Sequence, residues 1–113
     1  MQYAAALIHG GVPPATAKRF LDWHNRHPEV WKEFEALALE AIAEGVRRWG
    51  AKGIFEVMRW KAMKAKKPRR LRHFNNNYPT YYARVFVTKY PQHRTFFKFS
   101  KVRGLKSRHT DFY

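Results

Sequence analysis

Between Pro28 and Trp49 the apolar residues Val30, Phe34, Leu37, Ala41, Gly45 and Trp49 recur at steps of three and four, with Trp31, Ala38, Ile42 and Val46 beside them. That spacing lines one face of an α-helix and no face of a strand. It predicts a scaffold helix from Pro28 to Trp49, with Pro28 suited to the first turn and Glu29 set against the positive helix end. A helix of this kind must bury its stripe against other elements, and the rest of the chain supplies them at the same period.

Upstream, Phe20, Leu21, Trp23 and His24 predict a helix that Thr16 can cap and that ends near Asn25, after an N-terminal stub "MQYAAALIHGG". Downstream, Gly50 and Gly53 read as helix breakers, and Ile54, Val57, Met58 and Met63 predict a third, shorter helix. The segment "NNNYPTYYARVFVTKYP" predicts a fourth from Tyr78 to about Tyr90. Asn76 or Asn77 would serve as its cap, Pro79 lies in its first turn and Pro91 closes it. Tyr78, Tyr81, Tyr82, Val85 and Phe86 form its core stripe, at i, i+3, i+4, i+7 and i+8. After Pro91, the partial alternation of Phe97 and Phe99 against Lys98, Ser100 and Lys101 admits a short strand or hairpin.

The expected fold is therefore mainly α: about four helices in one small domain, helix-turn-helix-like, with room for a short β wing. With 113 residues there is space for one core, here about 14–99, and 45% apolar residues are enough to fill it without disulfide or metal staples. Residues from about 104 onward read as a mobile tail. The chain has no cysteine, which excludes zinc fingers, Cys-bound clusters and thiol nucleophiles and fits a reducing compartment. The apolar run at the start is short and has no preceding Lys or Arg, so neither a signal peptide nor a membrane span is expected, and the expected location is the cytoplasm.

Charge gives the first functional constraint. Residues 1–56 hold seven Lys/Arg and seven acids, whereas residues 57–113 hold sixteen Lys/Arg against Asp111 alone, so the whole net charge of +15 lies in the second half. One-sided charge on a small domain repels itself and points to a polyanionic partner, nucleic acid first. The densest stretch is "KAMKAKKPRRLR", residues 61–72, in which Pro68 forbids a continuous helix. Lys64, Lys66, Lys67, Arg69, Arg70 and Arg72 there are expected to hold phosphates without reading sequence.

A reading face is expected on the fourth helix, opposite its core stripe, where Asn77, Thr80, Arg84 and Thr88 follow at steps of three, four and four. Asn bonds adenine and Arg bonds guanine bidentately in the major groove, so Asn75, Asn76, Asn77, Thr80 and Arg84 are the candidate base contacts. A purely structural use of the same residues stays open, with one Asn capping, another turning the loop and Arg84 paired to a carboxylate such as Glu56. Lys98, Lys101 and Arg103 would grip the backbone from the wing.

The phrases "FLDWHNRHPEVW", "GIFEVMRW" and "FNNNYPTYYARVFVTKYP" together resemble a family of small phage and prophage proteins, over roughly Phe20 to Phe97. The Asn-Asn-Asn-Tyr followed by Tyr-Tyr-Ala-Arg is the most specific part. The resemblance implies a phage-encoded intracellular protein acting on nucleic acid or host machinery, and it carries over no catalytic residue. The very basic stretch 61–72 looks like a departure from that pattern.

Catalysis is not expected. His24-x-x-His27 lacks a third ligand, and Pro28 marks a helix boundary directly after it, so a capping and core role fits better than a metal site. Metal-dependent phosphodiester cleavage needs clustered carboxylates, and the basic half offers only Asp111. No cofactor motif occurs. The expected partner is double-stranded DNA, in a regulatory or accessory role. The competing expectation is an interaction module whose basic face inhibits an acidic host protein, and RNA binding through exposed aromatics stays open.

Overall fold

The computed structural model describes residues 2–67 and 77–98, and its elements among them are five α-helices and one 3-10 turn: α1 (Gln2–His9), α2 (Pro14–Arg26), α3 (Pro28–Ala43), α4 (Ala51–Lys64), α5 (Tyr78–Lys89) and the turn Pro91–His93. No strand occurs among the described residues. No helix there is long and apolar enough to cross a membrane.

The centre of the fold is Tyr82 of α5, fully buried. Its ring lies 5.1 Å from Phe20 of α2, 5.3 Å from Trp31 and 5.4 Å from Phe34 of α3, and 5.8 Å from Phe55 of α4, centroid to centroid. These are separations at which aromatic pairs attract beyond their buried area. Every expected stripe residue of α5 turns inward, but so do Pro79 and Ala83. The helix is enclosed on most of its circumference instead of lying on the surface.

α1 is the main reason. The expected N-terminal stub is a helix whose Leu7 is fully buried, and it packs along α5. It ends in a Schellman motif, with Gly11 at φ +105°, Gly11 N–H donating to Ile8 C=O and Val12 N–H to Leu7 C=O. α3 stops the same way, six residues before the expected Trp49. Gly45 sits at φ +94°, and Val46 N–H reaches back to Ala41 C=O at 2.9 Å. Gly45 thus acts as a terminator and not as a member of the apolar stripe, because only glycine enters that backbone region without penalty.

Other expected signals also shift. Thr16 does not cap α2: Pro13 holds the cap position, the helix begins at Pro14, and the Thr16 hydroxyl accepts a bond from Arg19 Nη2 at 3.4 Å. Gly53 does not break α4 but lies in its first turn, where a Cβ would stand 2.8 Å from Trp49 Nε1. The glycine makes room for the indole. Lys61 to Lys64 complete α4, so the expected basic connection begins later than Lys61.

The expected wing is not a strand as far as Lys98. Residues 91–98 form the 3-10 turn and further turns, with Phe96 N–H bonded to His93 C=O at 3.0 Å. The physical reason is that Phe96 and Phe97 are both buried, against Phe34 and Phe86. An extended strand would send adjacent side chains to opposite faces, whereas a turn lets both enter one core.

A polar clamp closes the α3–α5 contact. Glu35 Oε2 accepts from Lys89 Nζ at 2.6 Å and from the Tyr90 hydroxyl at 2.5 Å. Burial works against ionisation of Glu35, but the two hydrogen bonds and the Lys89 charge outweigh it and hold the carboxyl below its ordinary value.

Candidate nucleic-acid interface

A cluster of positive charge lies beside the C-terminal end of α3, whose last turn and C-cap also carry the exposed carboxylates of Glu40 and Glu44. An open cleft of about 780 Å³ is lined there by Ile42, Val46, Arg47 and Arg48 on one side and by residues 92–98 on the other. Gly45 turns the chain off the α3 axis, so Arg47 and Arg48 leave the helix and stand exposed in the connection to α4. The opposite wall is the turn that carries Gln92, His93, Arg94, Thr95 and Lys98, with Phe96 and Phe97 anchored in the core behind it. Trp49 N–H donates to Phe96 C=O at 3.3 Å and ties the two walls together.

The lining holds four permanent cations, Arg47, Arg48, Arg94 and Lys98, and no acid. Among the described residues none of these four forms an ion pair, whereas four acids elsewhere do: Asp22 with Lys18, Glu33 with Lys61, Glu35 with Lys89 and Glu56 with Arg59. Like charges gathered in a cleft with low-dielectric walls focus the field and raise the local concentration of anions. Two arginines side by side also supply the planar forks that match phosphate oxygens.

Of the expected phosphate-gripping residues, Lys98 is in this cleft. Lys64, Lys66 and Lys67 are exposed at the other end of the α3–α4 pair, where Lys67 and Lys61 share a smaller hollow with Glu29 and Glu33. From Glu29 to Ile42 along α3 is about 20 Å at 1.5 Å per residue. The structure therefore does not bring Lys98 together with the α4 lysines; it forms two cationic areas, one whose described lining holds no acid and one mixed. Arg69, Arg70, Arg72, Asn75, Asn76, Lys101 and Arg103 lie outside the described residues.

The expected reading face of α5 is placed differently again. Arg84 is half-buried, and its guanidinium is pressed so closely against α1 that a Cβ on Gly10 would meet Nη1 at 2.6 Å. Burial lowers its pKa. Thr88 is turned back on its own helix, its hydroxyl donating to Arg84 C=O at 2.8 Å. Thr80 is half-buried and Asn77 exposed. Asn77 holds the N-cap position of α5 without a side-chain capping bond, for two reasons: its φ and ψ of −91° and −11° are helical, and Pro79 removes one of the N–H groups a cap would satisfy. The carboxylate of Glu56, the example of a partner for Arg84, pairs with Arg59 Nη1 at 2.9 Å.

His24 lies in the aromatic core with Nδ1 3.1 Å from the Tyr82 hydroxyl, and His27 sits at the junction of α2 and α3. Among the described residues no group of three His, Asp or Glu side chains could hold a metal ion. Arg47, Arg48 and Arg94 were not singled out by sequence as site residues. The available signal was the pair of basic dipeptides Arg47-Arg48 and His93-Arg94, each just beyond a helix end and next to a large aromatic anchor. No protein-family model, no curated protein and no solved structure matches this chain.

Proposed function

We propose that this protein binds nucleic acid, double-stranded DNA foremost, by gripping the phosphate backbone in the cleft formed by Arg47, Arg48, Arg94 and Lys98. One observation carries the reading: four permanent cations line a single cleft with, among the described residues, no acid in its lining and no ion pair to these four. Such a site contacts phosphates and holds register on a duplex without reading base edges.

The cleft also changes the expected mode of binding. A recognition helix offers a free face to the major groove, and α5 instead has Arg84 packed beneath Gly10. Binding through the cleft is therefore largely blind to sequence, as suits an accessory or regulatory protein, and the resemblance to small phage proteins is compatible with that role. The test is fluorescence anisotropy of a mixed-sequence duplex over a salt series. Engagement of about four phosphates contributes roughly −3.6 to the slope of log K against log salt. Absence of duplex binding at low salt would contradict the reading and leave the cleft to an acidic protein surface.

A further inference from the structure

Trp60 is anomalous among the four tryptophans. Trp23, Trp31 and Trp49 pack against the core, whereas Trp60 is 59% exposed on the outer side of α4, with Met63 beside it 49% exposed. The inward face of α4 is complete without it, since Ala51, Ile54, Phe55, Met58 and Ala62 are buried.

The surroundings of this indole are cationic. Lys64 Nζ lies over the Trp60 ring, 5.7 Å from its centroid, within the range of a cation–π contact. Lys66 is exposed within two turns, as is Lys61, whose Nζ also lies 3.9 Å from Glu33 Oε2. Glu56, one turn earlier on α4, has its carboxylate engaged by Arg59. An exposed flat π-surface within a cluster of lysines matches a ligand that is both planar and polyanionic. An acidic protein surface supplies the charge without the regular planar groups. A nucleic-acid strand supplies both, provided that its bases are unpaired and show a face.

We propose that Trp60 and Lys64 form a platform on which an unpaired nucleobase stacks while the flanking lysines hold its phosphates. The inference rests on the nucleic-acid reading above and extends it. The cleft grips backbone, and Trp60 selects for a single-stranded segment adjoining the duplex. In an intact duplex the bases already stack on one another, so this site adds nothing there.

The experiment measures the affinity of the full chain for three probes: a short blunt duplex, the same duplex with a single-stranded thymidine tail, and the same duplex with an abasic tail of equal length. The thymidine tail should tighten binding by roughly tenfold over the abasic tail, within the range that base–aromatic stacking supplies. Trp60→Ala should abolish that difference and leave blunt-duplex affinity unchanged, and Trp60→Phe should retain part of it. Equal gains from thymidine and abasic tails in the wild type would overturn the stacking platform while the cleft reading stands. So would a thymidine preference that survives in Trp60→Ala. Failure of the wild type to bind any of the three probes would overturn both. Because Trp60 is exposed, the far-ultraviolet circular dichroism of both variants should match the wild type.

Discussion

The hydroxyl of Tyr82 and Nδ1 of His24 lie 3.1 Å apart, a polar link between α5 and α2 within a shell of rings. Burial pushes the Tyr82 phenol well above its ordinary value, so it stays protonated and can donate, and Nδ1 of a neutral His24 can accept. Burial also lowers the pKa of His24 from its ordinary 6.5. The unfolded chain therefore takes up a proton at His24 before the folded chain does, and stability falls as pH drops below about 6.5, by at most about 1.4 kcal/mol per pH unit for one group. Denaturant unfolding across that range should show the loss, and His24→Gln should flatten it. An unchanged pH slope in His24→Gln would show that His24 is not the group responsible.

Gly10 and Arg84 form a second such pair. Alanine at a glycine free of backbone strain ordinarily stabilises by about 0.4–1 kcal/mol through the unfolded state. Here the added Cβ would stand 2.6 Å from Nη1 and 2.7 Å from Cζ of Arg84, so Gly10→Ala should displace the guanidinium and lose that gain, ending between neutral and about 1 kcal/mol destabilising. In an Arg84→Ala background, where the three atoms nearest the added Cβ are gone, the same change should recover that gain of about 0.4–1 kcal/mol. A double-mutant cycle by thermal or urea unfolding reads the coupling directly, and additive effects would refute the close packing of Arg84 under α1.

Lys66 ends α4 at φ +56°, in the backbone position that glycine fills after α1 and α3. Its N–H donates to Met63 C=O and the next N–H to Ala62 C=O, completing a third Schellman motif. Left-handed backbone costs a non-glycine residue about 1–2 kcal/mol, partly offset by the greater freedom of glycine in the unfolded chain. Lys66→Gly should therefore raise stability by roughly half to one kcal/mol, visible as a higher urea midpoint. A lower midpoint would mean that the lysine side chain supports the fold by contacts that outweigh its backbone strain.

Helical character was legible wherever apolar residues kept a 3.6-residue period. Tyr78 to Phe86 and Val30 to Ala41 follow the pattern their spacing requires. Helix ends were harder to read, because a glycine acts through its backbone angle. Gly45 terminates α3 at positive φ, while Gly53 stays helical to admit the Trp49 indole, and nothing local distinguishes the two. α1 escaped notice because "QYAAALIH" is short and lacks an N-terminal capping residue; its place depends on burying Leu7. That omission made the polar side of α5 look like a free surface. The cleft was out of reach for a related reason: Arg48 and Arg94 are far apart in sequence and come to line one cleft through the turn that buries Phe96 and Phe97.

The proposed grip puts nucleic acid in the cleft and not on α5. The most direct measurement is a salt-series anisotropy titration of duplex DNA with the wild type, an Arg47/Arg48/Arg94/Lys98→Ala variant and Arg84→Ala. Removing four phosphate contacts should flatten the slope of log K against log salt by roughly three to four and weaken all sequences alike, while folded Arg84→Ala keeps the wild-type slope. An unchanged slope in the cleft variant, or a sequence-dependent loss on Arg84→Ala, would contradict the account.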